Sequence, residues 1–393
     1  MSPIFHLYTC NNLTDLARCY VHHRREYPQA FMSADLFVPE QVTVPTKGMA
    51  VWLEQFLVQQ DEIVINLQFP YIRDKVNELL NHHFQGEADF RPELFTPEVM
   101  TWRIMAILKQ SLGDFPTLER YLQARADSDD DLTDLRLYHL ALRIAQVFDQ
   151  YIVYKPDMLS QDIWPENNDW QQALWRKLCQ SEGREITGPA DKVCDFLRLP
   201  SNQLPQGLPP QTIFGVSVMS PIFLNFFKKL SCTTEVHFFY LNPCDEFWAD
   251  QKSRWAHTAV DEPDEIDEHF ENTLLGDFGQ QGRQFFKAIL NLDYDIDERT
   301  WEEETPAGQD PGDDAPATTL LNRIQHAIRT RTTPEPTPLG ATDDSITVHN
   351  CHHSLRQVEI LHDHLLALLK TNRYCFNDIL VMAPDIAQYA VTI

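Results

Sequence analysis

Glycine is scarce in this chain of 393 residues, and none of its 13 glycines is followed by lysine. A phosphate loop of the G-x-x-x-x-G-K-[ST] kind needs both. Its glycines let backbone amides reach the phosphates, and its lysine contacts the terminal ones. The chain is therefore not expected to hydrolyse ATP with its own residues. Basic residues are few as well. Lys and Arg total 32 against 58 Asp and Glu, a net charge of −26. Such a surface cannot act as a general clamp on nucleic acid, which requires a basic face. Contact with DNA would have to come from local patches or from partner subunits. No uncharged apolar run reaches the roughly 18 residues of a membrane helix. The nearest, residues 212–227, contains Pro221 and ends against Lys228 and Lys229. The opening MSPIFHLYTCNN has neither the basic region nor the cleavage site of a secretory signal. The eight cysteines are scattered, with no C-x-x-C pair. That argues against a zinc ribbon or a disulfide framework and fits reduced thiols in the cytoplasm.

What is present is enough apolar surface for large cores: 43% hydrophobic residues, with 8 Trp, 12 Tyr and 23 Phe. The length suggests two to three domains at ~150 residues each. The chain starts with strand and helix in alternation. Residues 4–8 read as a buried strand, and Asn12 can cap a helix with Leu16, Ala17 and Tyr20 on one face. Residues 36–44 and 63–67 read as further strands, with a helix over 49–58 between them. That rhythm implies a parallel sheet with crossover helices. Residues 92–194 look all-helical, with amphipathic runs at 99–112, 135–154 and 170–179. The acidic run 127–131 is a solvated linker or a helical first turn. Strands return at 212–218 and 235–241, around a helix at 221–230. Residues 261–314 hold 18 acidic and 3 basic side chains, which suggests that much of this stretch is a solvated insertion. A Pro/Thr-rich linker, 332–345, leads to a strand at 346–349, a helix at 355–369 and a strand at 378–382. The apolar segment 386–393, with no cap or polar tail after it, suggests that the sequence is truncated. No internal repeat is evident.

No catalytic constellation stands out. Gly276-x-x-Gly279-x-x-Gly282 follows no strand, and Asp277 would repel phosphate, so it reads as a surface loop before a helix at 284–290. His349, Cys351, His352, His353, His362 and His364 are the densest cluster of metal-ligand types, but they do not converge on one face and read as surface and cap residues. The carboxylates of 261–271 have no strand before them to present a metal-binding pair. Three places could touch nucleic acid. Thr46, Lys47 and Gly48 lie between a strand and a helix, where backbone amides can hold one phosphate with Lys47 as counter-charge. Phe69 and Tyr71, with Arg73 and Lys75, can stack bases and bind phosphates, or can staple a helix start. Asp149 and Gln150 can read base edges and Lys155 can meet a phosphate, while the aromatics around them fit a core.

Several strings then become recognisable. VPTKGMAVWL at 44–53 and FDQYIVYKPDML at 148–159 resemble segments of the RecC family, the gamma subunits of exodeoxyribonuclease V. So do Asn242-Pro243-Cys244 with Trp248, Leu274-Leu275 with Gly279 and Gly282-Arg283, the stretch 348–369 and the stretch 378–382. The matches are in order and cover the N-terminal third of a family member. The resemblance implies an α/β fold: a degenerate superfamily 1 helicase-like (P-loop-type) parallel sheet domain with an all-helical insertion and the start of a second α/β domain. The implied division is residues 1–90 plus about 205–331 as a 1A-like domain with an acidic insertion near 256–318. Residues 91–204 would form a 1B-like helical domain, 332–345 a linker, and 346–393 the beginning of a 2A-like domain.

The implied function is that of a non-catalytic subunit of the RecBCD helicase–nuclease in double-strand-break repair by homologous recombination. It would scaffold the complex with RecB and RecD, guide single-stranded and duplex-end DNA, and scan for Chi, in the cytoplasm and without a membrane. It would hold no cofactor of its own, with ATP and Mg only in the partner subunits. The alternatives are a non-functional truncated fragment and a stand-alone metal-dependent nuclease. The family's motif Ia position for single-stranded DNA falls on Thr46, Lys47 and Gly48. Its base-reading positions fall on Pro45, Lys47 and Val51, near Tyr71, and on Gln146, Val147, Asp149, Gln150 and Lys155. Characterised members carry hydrogen-bonding residues where this chain has Pro45 and Val51, and an arginine where it has Lys155. The resemblance therefore implies altered or absent Chi reading.

Overall fold

The structure is a computed structural model that describes residues 5–28, 31, 37–60, 66–123, 130–160, 164, 169–181, 183–251, 272–290, 296–300, 319–333, 336, 338 and 343–390. It divides into two compact units. The first holds residues 1–310 and 327–333, the second residues 311–326 and 334–393.

The first unit is built on a sheet of six parallel strands. They are β1 (Phe5–Cys10), β2 (Glu40–Thr43), β3 (Leu67–Gln68), β6 (Gln211–Phe214), β7 (Val236–Leu241) and β8 (Ile296–Thr300), in the order β3-β2-β6-β7-β1-β8. A two-stranded ribbon, β4 (Gln180–Ser181) and β5 (Arg184–Glu185), stands apart. Both faces of the sheet are covered, which is why β7 reads VHFFYL without alternation. Leu7, Ile213, Phe238 and Tyr240 face one core. It is closed by α3 (Ile72–His83), α9 (Pro189–Arg198), α10 (Pro221–Leu230) and α12 (Gln280–Leu290). The alternate residues Tyr8, Phe214 and Phe239 face the other. It is closed by α1 (Leu13–Glu26) and α2 (Lys47–Gln59). Asn12 caps α1 as its sequence suggests, accepting from the Thr14 amide at 2.8 Å.

Residues 95–190 enclose a core of their own. It is formed by α4 (Pro97–Ser111), α5 (Pro116–Gln123), α6 (Asp130–Tyr154), α7 (Pro156–Ser160) and α8 (Asp169–Leu178), centred on Phe95, Phe115, Phe148 and Trp175. The end of α6 reaches the sheet: Ile152 belongs to the helical core, while Val153 packs against the sheet core.

Four expectations need correction. The third strand is Leu67–Gln68, at the end of the expected span, and 61–65 lie outside the described residues. Gly276, Gly279 and Gly282 are not a surface loop. Gly276 lies within α11 (Thr273–Phe278), while Gly279, between α11 and α12, and Gly282, in α12, lie against buried Trp248. A Cβ on Gly279 would lie 2.3 Å from the Leu275 carbonyl oxygen and 3.1 Å from Trp248 Cζ3. Gly279→Ala is therefore expected to cost about 1–3 kcal/mol through overpacking, read as a lower urea midpoint. The acidic stretch is not wholly a solvated insertion either: Leu275, Phe285, Phe286 and Ile289 are core, and β8 is a sheet edge. The carboxylates of 261–271 lie outside the described residues.

The fourth correction lies in the second unit. Its helix α14 (Ser354–Lys370) forms as the sequence suggests, capped by His353, whose Nδ1 accepts from the Arg356 amide at 3.2 Å. Residues 346–349 and 378–382 are not strands. A strand exists only by pairing its amides and carbonyls with a neighbour, and neither segment pairs with a described strand. Within the expected linker, Asp343 accepts from the Leu320 amide at 2.7 Å and caps α13 (Leu320–Arg329). No described helix is long and apolar enough to cross a membrane.

Candidate nucleic-acid interface

In parallel α/β sheets, ligands bind beyond the carboxyl ends of the strands. At the end of β2 the chain passes Val44, bridged to Tyr71 with its amide donating to the Pro70 carbonyl at 3.1 Å. It then turns into α2. Thr46 is the N-cap: its hydroxyl accepts from the Met49 amide at 3.2 Å and its carbonyl from the Ala50 amide at 3.2 Å. The Lys47 and Gly48 amides open the helix, where intrahelical acceptors are lacking. Both residues are exposed, and Lys47 has no ion-pair partner among the described residues. Val51, one turn on, is exposed.

The end of β3 leads into α3 in the same way. Phe69 packs against the core beside α2. Tyr71 is the N-cap of α3 and is exposed, with no side-chain capping bond. Arg73 reaches across to Asp149 of α6, Nη2 to Oδ1 at 2.5 Å. Lys75 does not join this group, contrary to expectation. It is buried, bonded to Gln41 and paired with Glu78 at 3.3 Å, and burial pushes its pKa below the usual lysine range.

On α6, Gln146 and Gln150 are exposed one turn apart, and Lys155 follows the helix end, exposed and without an ion pair among the described residues. The Ser220 hydroxyl, at the start of α10, donates to the Val153 carbonyl at 2.7 Å and ties the helix end to the loop after β6. That loop begins at Gly215, with φ 66°, where a Cβ would lie 3.1 Å from Met49 Cε of α2. The three candidate segments thus close a ring: α2 against the β6 loop, that loop against α6, α6 against α3, and β3's end against β2's. Within it the Thr46 hydroxyl is committed to its cap, and Arg73 and Asp149 are committed to each other. The expectation that the aromatics around Asp149 and Gln150 are core fails at Tyr154, which is 67% exposed. Arg143, exposed and donating to Gln146 Oε1 at 3.4 Å, escaped sequence reasoning. Both lie on the helical period running through Gln146 and Gln150.

The end of β1, where a nucleotide-binding fold would carry its phosphate loop, is different. Only Asn11 and Asn12 separate β1 from α1. The adjoining cleft of about 190 Å³ is lined by Cys10, Cys244, Asp245 and Glu246 among others, a setting hostile to phosphate. Burial pushes the Cys10 and Cys244 thiols above their ordinary range, away from nucleophilic character. No group of three or more His, Cys, Asp and Glu among the described residues could hold a metal ion.

A fully covered parallel sheet, with a large helical module returning to its carboxyl edge, defines the class: an α/β protein with polar and aromatic groups where strands meet helices. The family is then specific. The model of the family "RecC, N-terminal domain" matches residues 5–331, and the chain belongs to that family. It is 28% identical to the RecBCD enzyme subunit RecC of Escherichia coli (strain K12), over 91% of this chain and 35% of that protein. Against the subunit of the same name from Haemophilus influenzae it is 27% identical, over 90% and 36%. Against that of Mycolicibacterium smegmatis it is 28% identical, over 91% and 31%. The chain spans about a third of the length of these curated relatives.

Proposed function

We propose that this chain is the DNA-scanning N-terminal portion of a non-catalytic RecBCD-type subunit in double-strand-break repair by homologous recombination. On this reading it scaffolds a cytoplasmic complex with RecB and RecD, which bind the ATP and magnesium, and guides single-stranded DNA from a duplex end. The helicase-like division fits the same reading. Residues 1–90 with about 205–331 serve as the 1A-like domain, 91–204 as the 1B-like domain, 332–345 as the linker and 346–393 as the start of the 2A-like domain. The observation that carries it is the convergence of Lys47, Tyr71 and the Gln146–Gln150 face at one edge of the sheet, beside a β1 end lined by acid instead of a phosphate loop.

Base reading needs side chains that donate or accept, and Pro45 and Val51 do neither. Each good base contact is worth ~1–3 kcal/mol of discrimination. Introducing Pro45→Gln and Val51→Gln into a complete complex carrying this chain is expected to change its response to Chi-containing DNA by about tenfold or more. An unchanged response would mean that these positions do not read bases.

A further inference from the structure

The cleft beyond the ends of β1 and β7 lies where the fold favours a ligand. The chain leaves β1 into α1 on one face of the sheet, and leaves β7 towards α12 on the other. Such divergence opens a crevice at the carboxyl ends of the strands. At about 190 Å³ the cleft is smaller than the ~300–1,000 Å³ of small-molecule pockets and fits a single side chain. Thr9 follows Phe5 and Leu7 on the face of β1 that meets α12, so its side chain lines the cleft with Phe286 and Leu290. Thr9 is 5% exposed, and its hydroxyl makes no hydrogen bond among the described residues. Asn242 lines the cleft and is buried too. Its Oδ1 accepts from the Trp248 indole at 2.8 Å, while its amide nitrogen makes no hydrogen bond among the described residues.

The loop after β7 carries three carboxylates. Asp245 pairs with Arg329 at 3.4 Å and Asp250 with Arg331 at 2.9 Å. Glu246 lines the cleft, is exposed, and has no ion pair among the described residues. Phe247 beside it is 57% exposed and lines the same cleft.

We propose that this cleft receives the side chain of an arginine presented by a protein partner. The loop already holds two guanidinium groups on its carboxylates, and Glu246 is left to hold a third. A guanidinium offers five donors and no acceptor, which matches the Glu246 carboxylate and the Thr9 hydroxyl oxygen. Its plane stacks on an aromatic face such as that of Phe247, and its methylene stem suits the apolar wall of Phe286 and Leu290. The Asn242 amide nitrogen is a donor that a guanidinium cannot satisfy but a backbone carbonyl can, which favours an arginine within a peptide over a free guanidinium ion. Lysine would bring a compact, strongly hydrated ammonium that lacks the planar fork. The cleft is separate from the candidate DNA contacts at the ends of β2 and β3, so the two sites stand or fall independently.

The test titrates N-acetyl-arginine-methylamide, its lysine and citrulline counterparts, and guanidinium chloride against the unmodified chain, Glu246→Gln, Thr9→Val and Glu54→Gln, followed by ligand-observed NMR. Citrulline keeps the shape of arginine without its charge. Glu54 is an exposed carboxylate of α2 and serves as the control. The arginine ligand is expected to bind about tenfold more tightly than the other three ligands. Glu246→Gln weakens it by about tenfold and Thr9→Val by about two- to tenfold, while Glu54→Gln leaves it unchanged. Urea midpoints of Glu246→Gln and Thr9→Val no lower than that of the unmodified chain show that these losses are not unfolding. Equal binding of arginine and citrulline, or arginine binding that survives Glu246→Gln, overturns the site. Equal binding of lysine makes it a site for any cation, and guanidinium binding as tightly as the arginine ligand makes it a site for a small ion; either result overturns the assignment to a partner's arginine. Absence of binding by the arginine ligand overturns it outright.

Discussion

Arg24→Leu is expected to lower the unfolding free energy of this chain by about 3–5 kcal/mol, the cost of leaving one partner of a buried ion pair uncompensated. Arg24 lies in the last turn of α1 and is buried. Its Nε sits 3.1 Å from each carboxylate oxygen of Glu40, and its Nη2 donates to Oε2 at 2.9 Å. The Tyr20 hydroxyl donates to Oε1 at 2.6 Å. Without Arg24, the Glu40 carboxylate stays desolvated with far less to offset its charge. The position of the pair matters as much as its strength. Glu40 is the first residue of β2, the short strand that delivers Pro45, Thr46 and Lys47 to the sheet edge. Loosening it should blur the candidate interface before the whole unit unfolds. The double variant Arg24→Leu with Glu40→Leu is expected to regain most of the loss, because apolar replacements of a buried pair are often neutral. Urea denaturation of the two variants checks both statements. A loss below about 1 kcal/mol for Arg24→Leu would mean that water reaches the carboxylate.

How much of this was legible in the sequence depended on whether a signal was local. The helix at 221–230 forms with the boundaries its pattern suggests, because Pro221 opens it and Phe223, Phe226, Phe227 and Leu230 share a face. The candidate segments at 46–48 and 69–73 were legible because strand-to-helix turns of a parallel sheet fall on one edge by topology. The long-range contacts were not. Nothing in the spacing of Arg73 and Asp149 announces that they pair, nor that the β6 loop packs on Met49. Glycine spacing misled in the opposite direction. Gly276, Gly279 and Gly282 look like a phosphate-binding string, yet two of them clear space for Trp248, which pattern alone cannot reveal. The segments at 346–349 and 378–382 have strand-like composition, but strand propensity describes fitness for a pleated, half-buried surface, and α14 beside them in sequence buries none of its residues.

The double variant Lys47→Ala with Lys155→Ala is expected to weaken binding of single-stranded DNA by about ten- to a hundredfold. Hydrogen bonds to charged groups contribute ~1.5–3 kcal/mol each at full strength, and exposure reduces that for both lysines. The setting raises their importance. In a chain of net charge −26, the background field repels a phosphate backbone, so unpaired cations at the sheet edge carry a larger share of the attraction than they would on a basic protein. Affinity alone cannot tell a phosphate contact from a base contact, but salt dependence can. Each phosphate neutralised on a single strand contributes about −0.7 to the slope of log K against log salt, so removing both lysines should flatten the slope by about 1.4. Replacing Gln146 or Gln150 should weaken binding at an unchanged slope. Lys109→Ala is the control, since Lys109 is paired with Asp134 at 2.8 Å and stands outside the ring of candidate contacts. If the double variant lost affinity with its slope intact, Lys47 and Lys155 would not rest on phosphates, and the strand would have to cross the sheet edge by another line.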